Sequence, residues 1–356
     1  MVVSLGYAFW NRGLSGGLAV VGTESAEGSP IEQLPERILG SGPRVPVFEG
    51  DRIKVRLRIK SPRGTRGPAR ISASIGTTEL STAAGLVRKE GWAEVRIVGP
   101  VRRGPVGVRG LTLERGDPLG FFAHHSPSVE AELGLVLPRF TALAAQPHVR
   151  ELEASVAAPR AGSGTEMFGV REYRPGDPLR RIHWRSSARH GELIVREFET
   201  PGVQTLGIFC DPSPPTPEAA DQIARIAASE AWDCLRAGGR VVLWAPGAEP
   251  SLPSESRSLW ALLEWLARYP NNADGLAAPH PAGSRSERAD LPTWWGGQAP
   301  LVGDAIAVMV TANSDVDDAL ETIRQRGGMV RAWVVGDAEL GSHISAQRAG
   351  LEWPLP

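Results

Sequence analysis

A chain of 356 residues holds about two domains at roughly 150 residues each, and 42% hydrophobic residues suffice for a core in both. Its 41 Gly and 30 Pro follow no fixed period, which excludes a collagen-like chain, and its two cysteines, Cys210 and Cys234, exclude a disulfide framework or a cysteine-based zinc cluster. The net charge of −1 hides an asymmetry: residues 1–110 carry 17 basic and 9 acidic side chains, whereas residues 201–356 carry 11 and 19.

Residues 2–10 are apolar, and residues 14–22 are apolar and Gly-rich, with Asn11, Arg12 and Gly13 between them. A spanning helix needs about 20 mostly apolar residues, and an Arg near its centre is costly. No basic region precedes the first apolar run, so a secretory signal is not expected. Residues 1–45 read as a weakly structured lead-in, the remnant of a membrane anchor. The expected location is cytoplasmic, with membrane association as a variant.

Residues 46–145 read as a β-sandwich of immunoglobulin-like type, with strands at Arg52–Lys60, Ala69–Ile75, 93–98, 107–113 and 133–137 separated by Pro and Gly turns. Arg52–Lys60 alternates basic and apolar residues, the period-2 pattern of a strand with one wet face. A solvated strand face explains the basic front without nucleic acid, since no zinc finger, RNP-like aromatic pair or basic helix accompanies it. An acidic membrane surface is the alternative partner for this face, as a peripheral contact. The adjacent His124 and His125 lack further ligands and are weak metal evidence.

Residues 146–200 form a distinct segment. Its part at 169–199, GVREYRPGDPLRRIHWRSSARHGELIVREFE, concentrates Arg171, Arg174, Arg180, Arg181, Arg185, Arg189 and Arg196 with Glu172, Asp177, Glu192, Glu197, Tyr173, His183, Trp184 and Ser187. Pro175, Gly176, Asp177 and Pro178 are turn chemistry, with Asp177 placed to cap a short helix that Pro178 begins. On that helix Arg180, Trp184 and Ser187 would share a face. Ile194–Phe198 alternates as an outgoing strand.

Residues 201–356 alternate strand and helix: strand 204–210 ending at Asp211, helix 218–237, strand 240–245, helix 258–269, strand 305–310, helix 316–326 and strand 329–335, with a Pro/Gly/Ser-rich loop at 270–300. Apolar strands alternating with helices imply a parallel sheet covered on both faces, a Rossmann-like domain in the broad sense. No G-x-G-x-x-G is present to support a dinucleotide site. The expected fold is thus an α+β multi-domain chain, a β-sandwich followed by an α/β domain. Cys210 and Cys234 read as small buried hydrophobes. Trp294 and Trp295 in the long loop read as cover for a core edge, or as a docking site if exposed.

The strings R-E-Y-R-P-G-D, R-x-I-H-W-x-x-S-A-R and L-I-V-R-E-F-E within 171–199 resemble the signature of the bacterial domain-of-unknown-function 58 family. Arg102-Arg103-Gly104, Gly116-Asp117-Pro118-Leu119-Gly120 and Val136-Leu137-Pro138-Arg139 resemble further elements of it. The resemblance implies two membrane helices upstream, which this sequence does not show. It also implies a von Willebrand factor A-like C-terminal half, and an uncharacterised role beside MoxR-type AAA+ ATPases and von Willebrand factor A proteins in maturing protein complexes.

Such a fold implies Mg²⁺ held by D-x-S-x-S after the first strand. Asp211 and Ser213 match, Pro215 replaces the second Ser, and Thr311 after strand 305–310 offers another oxygen beside Ala312. A strand-end turn with Asp211 as a cap is the competing reading, because a hard cation needs several oxygens.

For the signature segment four roles compete. One is an ion-pair network of Arg171 or Arg174 with Glu192 or Glu197 over a packed Trp184. The second is a protein-binding surface of Arg, Tyr and Trp. The third is a hydrolase using Asp177, His183, Ser187 and Arg189, which lacks a G-x-S-x-G elbow. The fourth is an anion site of Arg180, Arg181, Arg185 and Arg189. The expected function is a non-catalytic scaffold or assembly factor with no cofactor. A Mg²⁺-dependent binding module and a hydrolase are the alternatives.

Overall fold

A computed structural model describes residues 14–116, 123–143, 167–173, 182–198, 205–246, 251, 256–270, 302–336 and 345–353. The chain divides into two compact units, Met1–Arg139 and Phe140–Pro356.

The first unit is an antiparallel β-sandwich. One sheet holds β1 (Ser15–Glu24), β2 (Arg52–Lys60) and β5 (Trp92–Val98) in the order β1-β2-β5. The other runs β4-β3-β6-β7, from β3 (Ala69–Ile75), β4 (Thr78–Ala84), β6 (Gly104–Gly116) and β7 (Ala123–His125), with β8 (Val129–Val136) also paired to β6. Period-2 alternation makes the core. Ile53, Val55, Leu57 and Ile59 of β2 meet Ile71, Ala73 and Ile75 of β3 and Val108 and Leu113 of β6, all buried.

The lead-in expectation fails for residues 15–39. Ser15–Glu24 is a full strand, antiparallel to β2, with Leu18 opposite Leu57 and Val20 opposite Val55. A register break between Val20 and Gly22 disrupts the alternation, which hides the strand in the sequence. A 3₁₀ turn at Pro30–Gln33 and helix α1 (Glu36–Leu39) follow. Asp51, fully buried, ties this stretch to the sandwich by accepting from the Ala26 and Phe48 amides, both at 2.9 Å.

The second unit begins at Phe140, earlier than the sequence boundary at 145. Phe140 packs on Trp232 at 5.6 Å between ring centroids, the Thr141 amide donates to Ser229 Oγ, and the Leu143 amide donates to Asp233 Oδ2. These partners lie on helix α3 (Pro217–Arg236), so α3 captures the incoming chain.

The unit's main sheet is parallel, in the order β12-β11-β13-β14-β15, from β11 (Thr205–Cys210), β12 (Arg240–Trp244), β13 (Asp304–Met309), β14 (Val330–Val335) and β15 (Ser345–Ala349). Every residue of β11 and β13 is buried, as a sheet covered on both faces requires. Thr216 caps α3 through its hydroxyl, with Pro217 in the first turn. Ser258 caps α4 (Leu259–Arg268) with its hydroxyl, and Asn313 caps α5 (Ser314–Gln325) with its side-chain amide oxygen. Helix α5 packs Val316, Ala319, Leu320 and Ile323 against Phe209, Ala307 and Ala332. On the opposite side of β14, Trp333 meets α3, its indole donating to Glu230 Oε1 at 2.7 Å. Gly328 is required between α5 and β14, since a Cβ there would sit 2.2 Å from the Gly303 carbonyl oxygen.

Separate from that sheet is a two-stranded antiparallel ribbon of β9 (Met167–Glu172) and β10 (Ile194–Phe198), with helix α2 (Trp184–His190) between them in sequence. The loop 270–300, with Trp294 and Trp295, lies outside the described residues except for Pro270. No helix among the described residues is long and apolar enough to cross a membrane.

Candidate functional site

Two places hold the residues that the sequence singles out. The first is the β9–β10 ribbon. Glu172 opposes Ile194, Arg171 opposes Val195, and Glu197 opposes Gly169, so Arg171 and Glu197 are not cross-strand partners. The Tyr173 amide donates to the Leu193 carbonyl at 2.8 Å and the His183 amide to the Ile194 carbonyl at 2.7 Å. Ile182 forms a bridge to Val195, so β10 is flanked on both edges. Ile182, Ile194 and Val195 are each buried. The side chains of Arg171, Glu172, Arg189 and Glu197, and all of Arg174, Gly176, Asp177, Arg180 and Arg181, lie outside what the structure describes.

Two expectations for this segment are corrected. The bridge at Ile182 interrupts any helix running from Pro178, and the described helix starts only at Trp184. Arg180 lies outside the described residues, while Trp184 and Ser187 both belong to that helix. Trp184 does not pack beneath the ribbon either. It stands 65% exposed at the first helical position.

Ser187 is buried, and its hydroxyl both donates to and accepts from main chain. It donates to the His183 carbonyl at 3.1 Å and accepts from the Ile194 amide at 2.9 Å. Ser187 thus fastens α2 to the start of β10, and Gly191, at φ +75°, closes the helix between them. Replacing Ser187 by Ala strands the buried Ile194 amide, at an expected cost of about 1–3 kcal/mol. Urea unfolding of the full chain checks it, and no change in midpoint would contradict the fastening role.

The second place is the carboxyl end of the parallel sheet. The chain leaves β11 towards β12 through α3, but leaves β13 towards β14 through α5, so the winding reverses between β11 and β13. Ligands of open α/β sheets commonly bind at such a reversal. Asp211 follows β11 and Thr311 follows β13, so the fold brings these two predicted residues together. Asp211 is fully buried. Its Oδ2 accepts from the amides of Val310 at 3.0 Å and Thr311 at 2.8 Å and from the Thr311 hydroxyl at 2.9 Å. Its Oδ1 accepts from the Ser213 amide at 2.9 Å.

These contacts test the fit to Mg²⁺. A carboxylate offers about four lone-pair sites, and four donors point at this one. Thr311 presents its proton to Asp211, Pro215 and Ala312 bring no side-chain oxygen, and among the described residues no cluster of three or more His, Cys, Asp or Glu is placed to hold a metal. The donor set does not fit a hard cation that needs six oxygens. The carboxylate behaves as a latch between two strand-end loops.

Tyr269 belongs to this latch and is not singled out by the sequence. Its hydroxyl donates to the Asp211 carbonyl, and its ring stacks on Trp265 at 6.2 Å. Its one sequence signal is its place before Pro270 at the end of α4. Burial pushes the Cys234 thiol up to about 12, with the Glu230 carboxylate adding to the effect. Both cysteines are buried, as read from the sequence.

Residues 169–336 match the family model described as Protein of unknown function DUF58, a stretch that runs from within β9 through the end of β14 and so covers both places. No curated protein matches the chain.

Proposed function

We propose, from the match of residues 169–336 to the DUF58 family model, that the chain is a non-catalytic scaffold or assembly factor that engages a MoxR-type AAA+ ATPase through the signature segment. The observation that carries this reading is Trp184, 65% exposed within the family-matched stretch. Trp and Arg are the residue types most enriched at binding hot spots. Arg185 beside it and Leu193 across the helix closure are exposed as well. A buried Ser187 engaged only with main chain supports the absence of a nucleophile role for that hydroxyl.

The α/β unit is read as von Willebrand factor A-like, on the parallel sheet and on the Asp211, Ser213 and Thr311 loops meeting at its carboxyl end. In this chain it would act as a metal-independent protein-binding module.

The test is direct binding of the purified full chain to its cognate MoxR-type ATPase, with and without ATP. Trp184→Ala should weaken binding by about 30-fold, the equivalent of about 2 kcal/mol at a hot spot. Its melting temperature should stay unchanged, because the side chain is mostly in water. Failure of the unmutated chain to bind, or equal binding by the variant, overturns the proposal.

A further inference from the structure

The outer face of the β1-β2-β5 sheet is built from alternation alone. With Ile53, Val55, Leu57 and Ile59 turned into the core, the other side of β2 presents Arg52, Lys54, Arg56, Arg58 and Lys60. At about 3.4 Å per residue, these five cations form a row about 27 Å long. Arg52, Arg56, Arg58 and Lys60 are exposed and Lys54 is half-buried.

The pairing registers define the neighbours. On one side Lys54, Arg56 and Arg58 face Ile97, Val95 and Ala93 of β5. On the other, Lys60, Arg58, Arg56, Lys54 and Arg52 face Ser15, Gly17, Ala19, Gly22 and Glu24 of β1. Ile97 is 51% and Val95 47% exposed, and Val21 at the β1 bulge is 37% exposed. Glu24 is the one carboxylate in register on this face, and it pairs with Lys54 at 3.2 Å, the two side chains 40% and 39% exposed. The face is therefore a row of cations bordered by bare aliphatic side chains.

We propose that this face docks the protein on an anionic lipid surface. Cations of this kind bind the negative potential of acidic headgroups, and each contributes near the surface. Valine and isoleucine beside them suit the boundary between headgroups and acyl chains, where aliphatic side chains leave water without needing a shaped pocket. A single-stranded nucleic acid would instead call for aromatic stacking platforms, and the residues in register on this face include none. One weak attachment rarely holds a protein to a membrane, and a basic patch usually acts with a second, apolar signal. The exposed aliphatic side chains Val21, Val95 and Ile97 bordering the row supply that apolar component.

Co-sedimentation of the full chain tests this, with vesicles of phosphatidylcholine alone and of equal parts phosphatidylcholine and phosphatidylglycerol. Binding should be confined to the anionic vesicles and should fall steeply as salt is raised, which needs no variant. Arg56→Glu with Arg58→Glu should weaken it more than about tenfold, with melting unchanged. Arg56→Lys with Arg58→Lys should retain it, since headgroup attraction needs charge rather than a planar fork. Val95→Ser with Ile97→Ser should weaken binding at high salt, where charge is screened. Equal binding to both vesicle types, salt-insensitive binding, or retention by the Glu variant overturns the proposal. So does preferential capture of this face by single-stranded RNA or an acidic protein in competition with the anionic vesicles.

Discussion

Asp211→Ala is expected to destabilise the α/β unit by about 3 kcal/mol or more. The substitution leaves the Ser213, Val310 and Thr311 amides and the Thr311 hydroxyl without their shared acceptor. Each buried donor left unmade costs about 1–3 kcal/mol, and the partly buried ones recover some of that from water. In a unit of this size 1 kcal/mol moves the midpoint by about 2–4 °C, so a fall of roughly 6–12 °C should appear in thermal melting. Thr311→Val is the control. It removes one of the four donors and keeps the amides, so its cost should stay near 1 kcal/mol. Added Mg²⁺ should not raise the midpoint of the unmutated chain, because Asp211 Oδ2 already accepts three donors and Pro215 and Ala312 bring no side-chain oxygen to complete a coordination shell. A Mg²⁺-dependent rise that Asp211→Ala abolishes would restore the metal reading.

That latch shows why residue types in a motif do not by themselves specify its chemistry. Asp211, Ser213 and Thr311 stand where a cation-binding loop needs them, and the fold does bring them together. What decides their use is the direction of the donors around Asp211. Three of those are main-chain amides, which every residue but proline carries, so the sequence holds no trace of them. The same holds for Ser187, whose partners are the His183 carbonyl and the Ile194 amide. Its neighbourhood of His and Arg suggests a reacting hydroxyl, while its actual contacts serve the joint between α2 and β10.

The fold was legible where one physical signal dominated. Strict alternation marks β2 and β3 to the residue, and the all-apolar run through Cys210 marks a strand buried on both faces. Capping residues and double glycines set the ends of α3 and α5 within a few residues. The strands that escape are those whose signal is small, polar or broken. β4 puts only Leu80, Thr82 and Ala84 inward, β15 reads Ser-Ala-Gln-Arg-Ala at a sheet edge, and the β1 alternation slips at its bulge. Trp184 is a further case: its residue type suggests a packed anchor, but the side chain stands mostly in water. The near-zero net charge conceals a further feature. Charge cancels along the sequence while the pleat of β2 gathers five cations on one face.

Trp333→Phe is the second change with a large expected effect, about 2–4 kcal/mol. Trp333 and Glu230 are both buried, and the indole N–H donates to Glu230 Oε1 at 2.7 Å, joining β14 to the middle of α3. Phenylalanine keeps most of the apolar contact but removes the donor. A buried carboxylate then loses a charge-assisted hydrogen bond of about 1.5–3 kcal/mol, and the smaller ring adds a cavity cost. The two contributions separate in a double-mutant cycle. Glu230→Gln in the Trp333→Phe background exchanges a buried carboxylate that has lost this donor for a neutral amide, for which the loss is cheaper. More than half of the loss should then return in urea unfolding, a coupling well above the few tenths of a kcal/mol expected for independent sites. If the double variant is no more stable than Trp333→Phe alone, the loss lies in packing, and Glu230 contributes nothing through its charge. The outcome also bears on Cys234, whose thiol is held neutral by burial and by Glu230. Glu230→Gln alone should bring that thiol down from about 12 only modestly, because burial is the larger cause.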